Sequence, residues 1–189
     1  MSLFQMPNPI AARRLFLGQS GLVLSGAAVA LLSGNHALAA KAGGANAKDV
    51  QILNTALGAE FEAIAAYQLG AESKLLQSPV LDLALTFQGH HKAHAALLVT
   101  TVEKLGGKPV LAKAKYDFPV DQLKSQADVL KFAAKLEQGA VSAYLGAVPL
   151  FANRDLSKAA ASILGDEAMH WAILRQALGE VPVPAAFMT

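Results

Sequence analysis

The sequence predicts an all-α protein, a four-helix bundle with one long crossover between helices 2 and 3. Apolar residues recur at steps of three and four over four long stretches, and no stretch alternates as a strand would. The first and last links between these stretches are short, which makes the linked helices antiparallel neighbours. The middle link, residues 106–124, is long enough to run the length of the bundle. It can therefore deliver the third helix parallel to the second.

The first helix pair is predicted between Asp49 and the glycines at 106 and 107. Helix 1 runs from about Asp49, which suits an N-cap, to about Leu76. Helix 2 starts near Pro79 and stops at Gly106. Both carry an apolar stripe that is interrupted by a few polar residues.

The second helix pair follows the crossover. Helix 3 begins at Ser125, where Asp128 completes a capping-box pattern, and Pro149 ends or kinks it. Helix 4 runs from about Asp155 to about Leu178, with a glycine as the stop. The two pairs are copies of one pattern, offset by 76 to 77 residues.

The repeated pattern carries the polar residues. Each first helix has a lone Glu followed seven residues later by Tyr, and each second helix has two polar residues at i and i+3 that end in His. One position breaks the symmetry, because His91 stands where the second copy has Glu167. The six polar residues within the stripes are Glu60, His91, His94, Glu137, Glu167 and His170.

These six residues favour a metal site over a metal-free polar core. A carboxylate in an apolar stripe is costly unless it is paired or bound to metal. The chain has no cysteine, so the donors are carboxylate oxygen and imidazole nitrogen, a set that suits iron or manganese, with zinc or copper as contaminants. Three carboxylates packed together also repel one another, so we expect at least one to have a raised pKa.

Three segments resemble known helices. Residues 53–67 are similar to the first-helix motif of bacterioferritins, residues 163–170 to their fourth-helix ligand motif, and residues 91–109 to their second helix. Over roughly residues 50–178 the chain therefore resembles the ferritin-like superfamily, on the bacterioferritin and rubrerythrin side. It looks closest to exported, twin-arginine-dependent ferritin-like domain proteins. The resemblance implies a ferritin-like bundle.

The resemblance also implies roles for the six residues. It makes the three glutamates and the two matched histidines, His94 and His170, ligands of two metal ions. His91 departs from it, since the family has a second bridging Glu there. His91 is then a third imidazole ligand or a hydrogen-bond partner of a carboxylate, and the site holds two ions or one. The residues expected to support the ligands by hydrogen bonds are Tyr67, His90, Tyr144 and Asp166.

The resemblance leaves three functions open. The favoured one is a di-iron or di-manganese oxidoreductase that acts on Fe(II), peroxide or oxygen in stress defence. The alternatives are a single-metal-binding protein without turnover and a metal-free, stress-protective bundle. Haem is not expected, because Lys92 stands where bacterioferritins place the Met that binds haem. A homodimer is the one oligomeric state that we consider for this chain.

The N-terminus predicts export. Residues 13–17, Arg-Arg-Leu-Phe-Leu, begin a twin-arginine signal that continues through an apolar segment to a small-residue cleavage site at 37–39. Residues 1–39 would be removed after passage through the twin-arginine translocase. The mature domain, residues 40–189, would then lie in a periplasm or outside the cell and would not span a membrane. With 14 basic and 14 acidic residues it gives no support for nucleic-acid binding.

Overall fold

The computed structural model describes residues 45–188, which form four α-helices and no strand. The helices are α1 (Ala45–Glu72), α2 (Val80–Lys104), α3 (Gln126–Ala147) and α4 (Arg154–Ala177). Two single 3₁₀ turns, Val120–Gln122 and Val148–Leu150, precede and follow α3. None of these helices is long and apolar enough to cross a membrane. The predicted signal at 1–39 lies outside the described residues.

The ends of α3 and α4 follow local capping chemistry. Ser125 is the N-cap of α3, where its Oγ accepts a hydrogen bond from the Asp128 amide at 3.3 Å. Asn153 caps α4 in the same way, accepting from the Asp155 amide at 2.8 Å. Gly179 follows α4 with φ +75°, a left-handed conformation that glycine adopts at little cost.

The predicted start of helix 1 is wrong. Asp49 is not an N-cap, because α1 begins four residues earlier, at Ala45. Its buried carboxylate instead accepts hydrogen bonds from the amides of Ala152, at 2.9 Å, and Asn153, at 3.1 Å. The side chain therefore fixes the start of α1 against the loop before α4, a contact that no local pattern could indicate.

The apolar clusters confirm the one-crossover topology. At one end of the bundle, Leu76 after α1 packs in one cluster with Phe87 near the start of α2, Val129 near the start of α3 and Leu174 near the end of α4. Helices α2 and α3 both start at this end, so they run parallel, and α1 and α4 run the other way. The opposite end has its own cluster, which includes Leu57 and residues of α2 and α4.

The crossover lies against α1. Asn54 donates to the Lys108 carbonyl at 3.0 Å and accepts from the Val110 amide at 2.9 Å. Gly107 approaches so closely that an added Cβ would lie 2.6 Å from Val50 Cγ1. The site described below lies between the two apolar ends of the bundle.

Candidate metal centre

The six polar stripe residues meet in the middle of the bundle. Each of the four helices contributes at least one of them, and their side chains are buried, with His94 the most exposed at 14 %. The other five side chains are at most 3 % exposed: Glu60, His91, Glu137, Glu167 and His170. The helical periodicity that buries the neighbouring leucines and alanines also buries these polar groups.

The cluster consists of two groups that share two residues. In each group the ligand atoms all lie within 4.8 Å of one another. The shared residues are His91 and Glu167, which occupy the same position in the two copies of the pattern. The first group adds Glu60 and His94, and the second adds Glu137 and His170.

Glu167 faces both groups with one oxygen each. Its Oε1 lies 3.1 Å from His94 Nδ1, and its Oε2 lies 3.3 Å from His170 Nδ1. Neither oxygen has a hydrogen-bond partner, and neither Nδ1 atom has one. Together with Glu137 Oε2, these atoms make up the five buried side-chain nitrogens and oxygens of residues 45–188 that lack a partner.

The unpartnered atoms fit a metal. Leaving one buried polar atom without a hydrogen bond costs about 1–3 kcal/mol, so five in one place is expensive unless a ligand joins them. Carboxylate oxygen and imidazole nitrogen are the donors that iron and manganese accept. The residues present therefore suit the metal that the resemblance implies.

His91 makes its own contacts. Its Nδ1 lies 2.8 Å from Glu60 Oε2 and its Nε2 lies 3.3 Å from Glu137 Oε1. One imidazole thus links the two lone glutamates of the repeated pattern. The ring therefore supplies part of the positive charge and hydrogen bonding that a cation would supply to these glutamates.

The two tyrosines bind glutamates across the repeats. Tyr67, on α1, donates to Glu137 on α3, and Tyr144, on α3, donates to Glu60 on α1. Burial and the negative charge of the glutamate partner raise the pKa of each phenol well above its ordinary value. Both therefore remain hydrogen-bond donors at neutral pH.

Asp166 supports the two matched histidines from outside the cluster. Its Oδ2 lies 3.3 Å from Nε2 of both His94 and His170. A carboxylate there favours a proton on each Nε2 and fixes each ring so that its Nδ1 faces Glu167. The half-exposed His90 also reaches this carboxylate, with its Nδ1 at 3.2 Å.

The carboxylates around the three histidines of the cluster set the pKa values of these histidines. Burial lowers the pKa of His91, but its contacts with Glu137 and Glu60 outweigh burial and raise it to about 11. Burial likewise opposes protonation of His94 and His170, yet the adjacent carboxylates raise each pKa to about 9.

The pKa of Glu137 shifts in the direction opposite to the rise expected from repulsion among the carboxylates. Burial would raise its pKa, but the imidazoles of His170 and His91 hold it well below its ordinary value. The expectation considered only repulsion among carboxylates. The histidines that lie between the carboxylates lower the pKa of Glu137 instead.

Phe87 has a role that its place in the stripe did not indicate. Its ring packs on His170, with 4.0 Å between ring centroids and 26° between planes. It lies four residues before His91, so the periodicity placed it next to the site. Only the structure shows that it fixes an imidazole.

The fold and the site together define a ferritin-like bundle with a buried carboxylate–histidine cluster that could hold metal. The family of the ferritin-like domain matches residues 48–180, well over half of the chain, and the chain belongs to that family.

A solved structure gives the same fold. It is the crystal structure of a conserved hypothetical protein, rv2844, from Mycobacterium tuberculosis, with a TM-score of 0.66 and 24% sequence identity. The match covers 76% of this chain and 99% of that chain. A comparison with curated proteins gives no match.

Proposed function

We propose that the protein binds iron or manganese in the buried cluster and uses it to oxidise Fe(II) or to consume peroxide or oxygen. The observation that carries this proposal is the set of five unpartnered buried atoms, all of which belong to the cluster. A protein that needed only a packed core would gain stability by replacing such atoms with apolar groups. The presence of these atoms in the core is expected if they bind a ligand.

The residues divide the work between two ions. Glu60 and His94 would hold one ion with Glu167 Oε1, and Glu137 and His170 would hold the other with Glu167 Oε2. Bound iron would supply the one-electron chemistry of oxidation. Around it, the tyrosines hold the lone glutamates in place and Asp166 orients the histidines.

A second candidate rests on His91. Since its ring already links Glu60 and Glu137, the cluster can be satisfied in part without a second ion. The second candidate is therefore a protein that holds one ion, or none, without turnover.

Metal stoichiometry followed by a single-turnover reaction separates these candidates. Anaerobic Fe(II) titration of the wild type should give two ions per chain, and rapid mixing with peroxide should give an oxidation burst. Glu167→Gln should lower affinity by more than about 100-fold, because it removes the carboxylate that faces both groups. Met169→Gln, an exposed neighbour on α4, is the matched control and should behave as the wild type. One ion bound without a burst would overturn the oxidoreductase and leave the metal-binding protein.

We also propose that the twin-arginine signal exports the domain. The motif lies outside the described residues, so this proposal rests on the sequence alone. Replacing Arg13 and Arg14 together by Lys should keep the protein in the cytoplasm, as measured by cell fractionation with a tagged chain. A variant that is still exported to the same extent would remove the support for this route.

A further inference from the structure

A second polar cluster lies outside the buried one, where α2 meets α4. It consists of His90, Asp166 and His170, whose ligand atoms lie within 4.8 Å of one another. His90 is exposed, with 45 % of its side chain accessible, while Asp166 is 23 % exposed. This cluster therefore opens to solvent, whereas the one beneath it is closed.

The three ligand atoms form a compact triangle. His90 Nδ1 lies 2.9 Å from His170 Nε2, and both lie near Asp166 Oδ2, at 3.2 Å and 3.3 Å. Two ligands bound at ~2.0–2.1 Å to a tetrahedral Zn²⁺ lie ~3.3 Å apart. The triangle thus has nearly the edge lengths that one such ion requires.

The ring of His170 is held by packing. Phe87 packs on His170 and lies 6.3 Å from His90, measured between ring centroids. Two histidine nitrogens and one carboxylate oxygen, with the remaining side open to water, resemble the three-ligand pattern of exposed zinc sites.

We propose that His90, Asp166 and His170 form a second, solvent-facing site for a divalent cation such as Zn²⁺. It is distinct from the buried site because it uses the other nitrogen of His170 and adds a residue that does not reach the interior. A neutral imidazole has one free lone pair, so His170 serves one site at a time. The surface site and the buried site therefore compete for His170, and an ion bound at one site removes this ligand from the other.

The test uses Zn²⁺ as the probe and His90→Ala as the main variant. Isothermal titration should show a binding event in the wild type that His90→Ala weakens at least about 10-fold. Lys92→Ala is the matched control, since Lys92 is exposed on the same helix and bonds only to Gln88 among the described contacts. Its titration should superimpose on the wild type.

A second variant separates this site from the buried one. Glu137→Gln removes a ligand of the buried cluster and leaves the surface triangle intact, so the His90-dependent event should persist in it. Far-UV circular dichroism of each variant checks that it is folded. In Zn²⁺-soaked crystals of the wild type, an anomalous peak should lie within bonding distance of His90 Nδ1.

The outcomes are distinct. If the His90→Ala titration matches that of the wild type, or no anomalous peak lies beside His90, the three groups only hydrogen-bond to one another and the surface site is excluded. If the His90-dependent event survives while the buried cluster binds no metal, the surface site stands and the proposed oxidoreductase fails.

Discussion

The two helix pairs of this bundle share one framework and differ in charge at one position. In the pair α1–α2 that position is His91, whose two ring nitrogens both contact glutamates. In the pair α3–α4 it is Glu167, whose two oxygens have no hydrogen-bond partner. The matched position thus carries a hydrogen-bonded imidazole in one helix pair and a carboxylate without hydrogen bonds in the other.

The difference shows how the charges of a buried carboxylate–histidine cluster can be balanced without metal. Four buried carboxylates and two histidines would depend heavily on cations, whereas three of each can carry offsetting charges. The raised pKa of His91, about 11, places its positive charge between Glu60 and Glu137. We infer that the first helix pair stabilises the empty site and that the second offers the open oxygens that attract an ion.

Replacing His91 by Glu, which makes the two helix pairs alike at this position, should have the largest effect on stability. His91→Glu restores a carboxylate at the matched position but removes the donor to Glu60 and Glu137. The metal-free variant should lose roughly 3–5 kcal/mol of unfolding free energy, the scale for leaving buried charges uncompensated. Excess Mn(II) should restore much of this loss, because a ligand that binds only the folded state stabilises it.

Urea unfolding with chelator and with saturating Mn(II) measures both effects. Lys92→Glu, an exposed charge reversal one residue away, is the control and should change little. Equal stability of His91→Glu and wild type in chelator would show that His91 does not balance the cluster.

The pH dependence should be the next largest effect. Stability from a histidine with a raised folded pKa is fully present below its unfolded value near 6.5. It falls as pH rises toward the folded value, about 9 for His94 and His170 and about 11 for His91. The metal-free protein should therefore melt at progressively lower temperature between pH 6.5 and 9, a window below tyrosine ionisation.

Metal-loaded protein provides the contrast, because ligating histidines are already neutral and metal affinity rises with pH. Thermal melts across this range, with chelator and with Mn(II), check the prediction. A flat melting temperature from pH 6.5 to 9 in chelator would argue against charged histidines in the empty site.

Replacing the buried tyrosines should have the smallest effect on stability, and the loss should be the same in the two helix pairs. Tyr67→Phe and Tyr144→Phe each remove one hydrogen bond to a buried carboxylate, worth about 1.5–3 kcal/mol. Tyr116→Phe is the control, since its hydroxyl accepts only an exposed contact from the Lys113 amide at 3.2 Å. Urea unfolding of the three variants should give two similar losses and one near zero. A large inequality between the first two would mean that the repeats differ beyond position 91.

Much of the fold could be predicted because it depends on local periodicity. The stripe spacing and the capping residue Ser125 locate the helices to within a few residues. The start of α1 could not be predicted, since Asp49 is held by amides about a hundred positions away. A carboxylate near a helix start looks the same in sequence whether it caps its own helix or holds another segment.

For the site, the repeat identified which residues gather but not how they pair. Helical spacing fixes which face carries His91, yet its contacts with both lone glutamates depend on how all four helices are rotated. The surface cluster of His90, Asp166 and His170 could not be predicted for the same reason. His90 and Asp166 are 76 positions apart, and only the packing of α2 on α4 brings them together.

The crossed tyrosine bonds have a consequence for how the chain is put together. Tyr67 serves the glutamate of the other half, and Tyr144 returns the same contact. Such reciprocal contacts are the mark of an isologous interface, in which two identical partners each supply what the other needs. This polypeptide therefore has the internal logic of a two-fold dimer whose subunits have been joined end to end, with residues 105–125 as the tether. Neither half can complete the hydrogen bonding of its own glutamate.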